Sequence, residues 1–166
     1  LQPTSNSTPD ANLGGTAVTS PSNTGHASST AAATGPASLT EKSCFWGNFE
    51  ARGAASAVLK VGYSLSGTLD DPLFTANVFE LEYSVNGGLN WDSLLTVINL
   101  SSADSGTATA TIPTAFNTAG VQVRDLIAAQ GGDDGVTQYT GAMTASVSNI
   151  RLEVTLGANR ILAGGM

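Results

Sequence analysis

The sequence predicts an all-β chain: an antiparallel β-sandwich of jelly-roll type with about eight strands, preceded by an extended N-terminal arm. Three observations predict it. From Ala57 onward the large apolar residues recur with a period of two, as strands half-buried against a core require. Turn residues such as Asn86-Gly87-Gly88 punctuate the chain at short intervals. Residues 1–40 show no period at all and hold one charged side chain, Asp10.

Residues 1–40 form the arm. It is built of Ser, Thr, Ala, Asn and Gly with Pro at 3, 9, 21 and 36, and its large apolar residues are Leu1, Leu13, Val18 and Leu39. Such a segment buries too little surface to offset its ordering entropy alone, so it is expected to lie extended on a partner, with Leu13 and Val18 as anchors. The domain proper is expected at 41–156 and opens with a strand around Cys44–Ala51. Cys44, the one cysteine of the chain, excludes an internal disulfide and reads as a small buried hydrophobe.

Next, Ala57, Leu59, Val61, Tyr63 and Leu65 share one face of a strand, and Phe79, Leu81, Tyr83 and Val85 alternate with Glu80, Glu82 and Ser84. The return segment Trp91–Leu100 is apolar in both phases and is expected to be central in its sheet. Thr107–Ile112, Val121–Ile127 and Thr144–Leu156 complete the set. In the last of these, Ala145 and Val147 hold one phase while Ile150, Leu152, Val154 and Leu156 hold the other. One extra residue near Ser148-Asn149 would return both groups to the core, which predicts a β-bulge there. The tail 157–166 carries an isolated apolar pair, Ile161-Leu162, suited to anchoring on a neighbour.

Composition narrows the function. Only 11% of the residues are charged and the formal net charge is −7. Six Lys and Arg, scattered, do not make a phosphate-binding surface, so nucleic acid is not an expected partner. Anionic membrane is disfavoured for the same reason, and no run approaches the ~18 apolar residues of a span. The single histidine, His26, lies in the arm, so no Ser-His-Asp triad or His-rich metal site is expected within the domain. Glu80 and Glu82 share an exposed strand face, and with Asp92 they read as solvated groups rather than catalytic carboxylates. No catalytic residue and no cofactor is expected.

Ser84-Val85-Asn86-Gly87-Gly88-Leu89-Asn90-Trp91 resembles the Asp-box, Ser-x-Asp-x-Gly-x-x-Trp, a hairpin of sialidases and other extracellular β proteins, with Asn86 in place of the family's Asp. The resemblance implies a structural hairpin built on Ser84, Asn86, Gly88 and Trp91. Two acidic pairs, Asp70-Asp71 and Asp133-Asp134, lie in loop segments and are the candidates for a calcium ion, although neither has the spacing of a calcium loop. Tyr63, Tyr83 and Trp91 fall in the apolar phases of their strands and are expected in the core. Tyr139, in a Gly-rich loop, is the candidate aromatic contact for a glycan.

The whole layout of charge-poor arm, β-sandwich and anchoring tail resembles virion modules of tailed phages: capsid decoration proteins, head fibres and tail-associated jelly rolls. That resemblance implies a non-enzymatic subunit, virion-borne or extracellular, whose partners are copies of itself or a neighbouring shell or fibre protein. The competing class is an extracellular carbohydrate- or surface-binding module, for which Asn6-Ser7-Thr8 and Asn99-Leu100-Ser101 supply glycosylation patterns.

Overall fold

A computed structural model of the chain describes residues 8–9, 27–35, 39–50, 54–113 and 119–156. The described elements are strands: β1 (Thr8–Pro9), β2 (Ala27–Thr34), β3 (Leu39–Glu50), β4 (Ala54–Leu69), β5 (Ala76–Ser84), β6 (Asp92–Ile98), β7 (Ala103–Ile112), β8 (Ala119–Gln130), β9 (Gly132–Asp133) and β10 (Gln138–Leu156). Eight are long and two span two residues each. They form an antiparallel sandwich of two sheets, ordered β1-β3-β8-β5-β6 and β2-β10-β4-β7, with β9 pairing the start of β10.

The period-two pattern places the core between the sheets. Phe79, Leu81, Val121, Val123 and Ile127 of the first sheet meet Leu59, Val61, Leu65, Ile112, Met143, Val147 and Leu152 of the second, each at most 2% exposed. Fully burying side chains of this size stabilises by about 1.5–3 kcal/mol apiece, which is what sets the register of both sheets. The outward positions of the second sheet carry Lys60, Arg151 and Glu153. Lys60 Nζ lies 2.8 Å from Glu153 Oε2, and Arg151 Nε donates to Oε1 at 3.0 Å. These two cations, Lys60 first, hold the Glu153 carboxyl below its ordinary range.

The bulge stands where the parity break requires it. The β10–β4 register slips between Ser148 and Arg151, Asn149 has φ of 50°, and Ala145, Val147, Ile150 and Leu152 are all buried. Asn is among the residues that tolerate this left-handed backbone, so the extra residue costs little.

Two expectations are corrected. Trp91–Leu100 is not a central strand: among the described residues β6 is the edge of its sheet and pairs with β5 alone. Its two-phase apolarity comes from a register shift between Leu81 and Glu82 on the partner, opposite Leu94. The shift turns both Leu94 and Leu95 to the core and leaves Ile98 outside, 65% exposed. Second, Ala27–Thr34 lies within the segment read as an arm, yet it forms an edge strand of the sandwich. It pairs with β10 from Ala27 opposite Val147 to Thr34 opposite Thr140. Main-chain hydrogen bonds to a sheet edge supply the ordering free energy that these small side chains do not.

Asn77 ties the layers together from the core phase of β5, at 2% exposure. Its Nδ2 donates to Leu100 O and Ala142 O at 2.8 Å each, and its Oδ1 accepts from the Leu100 N–H at 2.7 Å. Beside it the chain approaches too closely for any side chain. A Cβ at Gly67 would run into Leu100 O, and one at Gly141 into Gln130 O.

Candidate functional site

Two regions of the surface gather unusual side chains. The first is the loop end formed by residues 70–75 and 132–140. Asp70 Oδ2 accepts from the Thr140 N–H at 2.9 Å while its own N–H donates to Thr140 O, which clips the two loops together. Asp71 Oδ1 caps the Leu73 N–H at 2.9 Å, and its carbonyl accepts from Phe74 and Thr75. Asp133 Oδ1 accepts from Gly135, and Asp134 Oδ1 from Val136 and Thr137. These donors, Thr137 first, lower the Asp134 carboxyl below its ordinary value. The Tyr139 hydroxyl, donating to Asp134 Oδ2 at 2.8 Å, is raised by that bond.

The structure therefore brings the four aspartates to one end, but it points each at a main-chain amide. Among the described residues no three His, Cys, Asp or Glu side chains surround a common point. Tyr139 is half-buried, its ring stacked on Phe74 with centroids 5.3 Å apart and planes 8° off parallel. Around this pair the turns hold two aliphatic side chains out in water, Leu73 at 87% and Val136 at 93% exposure. The sequence signal for Phe74 is its place two residues after Asp70-Asp71-Pro72, where a large apolar residue has no strand phase to explain it.

The second region is the outer face of the first sheet, where Glu82, Glu80, Val78 and Ala76 of β5 lie beside Arg124, Leu126, Ala128 and Gln130 of β8. At one end stands the hairpin of residues 84–91. The Ser84 hydroxyl donates to Asn86 Oδ1 at 2.9 Å and accepts from the Gly88 N–H at 2.9 Å. Asn86 Oδ1 also accepts from the Asn90 N–H, and Gly87 and Gly88 take φ of 73° and 87°. These bonds and the two glycines close the turn between β5 and β6.

Trp91 differs from expectation. It does not join the core that Tyr63 and Tyr83 line; its ring carries the Arg124 guanidinium, 4.2 Å from the ring centroid. Arg124 Nε in turn pairs with Glu82 Oε2 at 2.5 Å. Stacking on a cation satisfies the indole face without a core position, and it leaves an aromatic ring, a guanidinium and a carboxylate side by side.

At the other end of that face is an apolar hollow of about 180 Å³, lined by Ala76, Val78, Ile98, Ala128 and Gln130 with main chain of Asn77 and Ala129. Leu13, Val18, Ile161 and Leu162 lie outside the described residues. Cys44 stands in β3 opposite Asp125, and the burial expected for its side chain lies outside what is described.

No family model matches the chain, and no curated protein matches it. Among solved structures, the carbohydrate-binding module TmCBM61, in complex with β-1,4-galactotriose, is 13% identical with a TM-score of 0.42, over 89% of this chain and 86% of its own. A structure of the infectious bursal disease virus Gx strain is 11% identical with a TM-score of 0.40, over 87% of this chain and 35% of that one. The empty top-component particle of cowpea mosaic virus is 12% identical with a TM-score of 0.32, over 85% of this chain and 90% of that one. The likeness extends no further than the β architecture.

Proposed function

We propose that the chain is a non-enzymatic structural subunit of a large assembly, of the virion type, either decorating a capsid or associated with a tail or fibre. It docks through its N-terminal arm and C-terminal tail, and the reading invokes no cofactor, calcium included. The observation that carries it is β2. Eight uncharged residues of Ala, Ser and Thr pair main chain to main chain along β10. The arm's composition is thus suited to strand addition, a docking mode that takes its affinity from the backbone and needs no bulky anchor. The acidic groups of the loop end support a structural role, since each is committed to a main-chain amide. The test is to delete residues 1–26, sparing β2, and measure incorporation into the native particle. Loss of incorporation is expected; unchanged incorporation would sink the reading.

One observation favours a second reading, a glycan- or surface-binding module. Trp91, Arg124 and Glu82 set a ring beside fixed hydrogen-bonding groups on an open sheet face. A glycan-array signal abolished by Trp91→Ala or Tyr139→Ala, with the fold intact, would favour it over docking.

A further inference from the structure

We infer that the hollow on the outer face of the first sheet receives the C-terminal tail of a second copy of this chain, with Leu162 seated between Val78 and Ile98 and Arg160 opposite Glu80. The inference rests on the reading of the tail as a docking element and names its receptor. Ile98, 65% exposed on an edge strand, borders a hollow whose described lining carries no charge. Its volume of about 180 Å³ suits one aliphatic side chain with its backbone. The tail 157–166 offers one bulky aliphatic pair, Ile161-Leu162, and one charged side chain, Arg160.

The spacing of charge and bulk decides which member of that pair enters. Glu80 is the next outward residue from Val78 on β5 and makes no ion pair among the described residues. Arg160 and Leu162 are likewise two apart, and alternate residues of an extended chain project to one side at ~6.6 Å intervals. A tail running antiparallel to β5 therefore sets Arg160 over Glu80 as Leu162 meets Val78. Ile161, in the other phase, turns away from the hollow.

The donor must be another molecule. The hollow abuts the start of β10, where a Cβ at Gly141 would lie 2.7 Å from Ala76 O. β10 then runs on to Leu156, roughly 50 Å away along the strand at ~3.3 Å per residue. From Leu156 to Leu162 an extended chain spans at most ~22 Å. A molecule's own tail falls far short of its own hollow, so the contact is between copies, made either by reciprocal exchange of tails in a two-fold dimer or head-to-tail in a ring or filament.

Sedimentation velocity of the full chain over a concentration series tests this. Wild type is expected to self-associate. Leu162→Asp, which would bury an unpaired charge, and Glu80→Arg are each expected to weaken association by about tenfold or more. The exchange Glu80→Arg with Arg160→Glu is expected to restore most of what Glu80→Arg loses, while Leu89→Asp, at an 82% exposed position of the hairpin at the opposite end of that face, leaves association unchanged. All the substituted described positions are outward-facing, and an unchanged thermal midpoint establishes that they fold. A monomeric wild type, association indifferent to Leu162→Asp and Glu80→Arg, or an exchange that restores nothing would overturn the proposal. If incorporation into the particle needs residues 157–166 yet ignores Glu80→Arg, this contact fails while the docking reading stands.

Discussion

The side-chain amide of Asn77 donates at 2.8 Å to the carbonyl oxygen of Ala142, 65 residues further along the chain and in the opposite sheet. The same nitrogen reaches Leu100 O, and the amide oxygen takes the Leu100 N–H. Asn77→Ala leaves four main-chain groups without that partner, the fourth being Thr68 O, which Nδ2 reaches at 3.4 Å. The expected cost is about 3 kcal/mol, read as a lower urea midpoint with an unchanged slope.

The close approaches beside Asn77 predict a ranking among glycines. At Gly141 a Cβ would meet two main-chain oxygens, those of Gln130 and Ala76, and neither can swing aside. Gly141→Ala is expected to cost more than about 3 kcal/mol and to leave little soluble protein. Gly87 has open space around it but a φ of 73°. Gly87→Ala should cost only about 1–2 kcal/mol, from backbone strain alone. Paired thermal melts separate the two.

In the hairpin, Asn86 Oδ1 works only as an acceptor, from the Ser84 hydroxyl and the Asn90 N–H. A carboxylate oxygen does the same more strongly. Asn86→Asp, the residue of the Asp-box pattern, is therefore expected to be neutral or to stabilise by up to ~1 kcal/mol. Ser84→Ala, which empties a fully buried hydroxyl position, should cost about 2 kcal/mol. Thermal melts at neutral pH check both.

Acid should loosen the loop end. Asp134 titrates below its ordinary 3.8 because the Thr137 and Val136 amides and the Tyr139 hydroxyl hold its charged form. The native loop thus binds this proton less tightly than the unfolded chain does. Its contribution is complete above the ordinary value and is lost as pH falls from there through the lowered native one. Amide exchange at Val136 and Thr137, followed from about pH 5 down to about pH 2, should show protection fading in that window. Asp134→Asn should remove the pH dependence.

Much of the sandwich is legible in the sequence because burial between sheets imposes strict alternation. The clearest case is β10, where the parity break at Ser148-Asn149 corresponds to a real bulge. The same signal misleads at β6, since a bulge at Leu94 also fills both phases and imitates a strand covered on two sides. Trp91 misleads through chemistry: cation stacking with Arg124 gives an indole a resting place outside the core. β2 is silent because Ala, Ser and Thr leave no contrast between faces, and its pairing is made by the backbone. Asn77 was readable, sharing its phase with Phe79 and Leu81, where a polar residue demands buried partners. Neither the stacking of Tyr139 on Phe74 nor the hollow beside Ile98 was readable, since each joins residues from separate strands and loops.

The order β2-β10-β4-β7 also fixes a timetable. Thr34 and Thr140, whose hydroxyls meet at 2.7 Å, are 106 residues apart, so a ribosome must deliver nearly the whole domain before β2 finds its place. Until then β4 holds β7 on one side while its other edge, and all of β2, stand open. Sheets closed by such distant pairings form slowly, and the arrival of β10 is the step that seals both edges at once. A neighbour that captured β2 before that step would bind a half-made sheet, whereas one arriving afterwards meets a finished one.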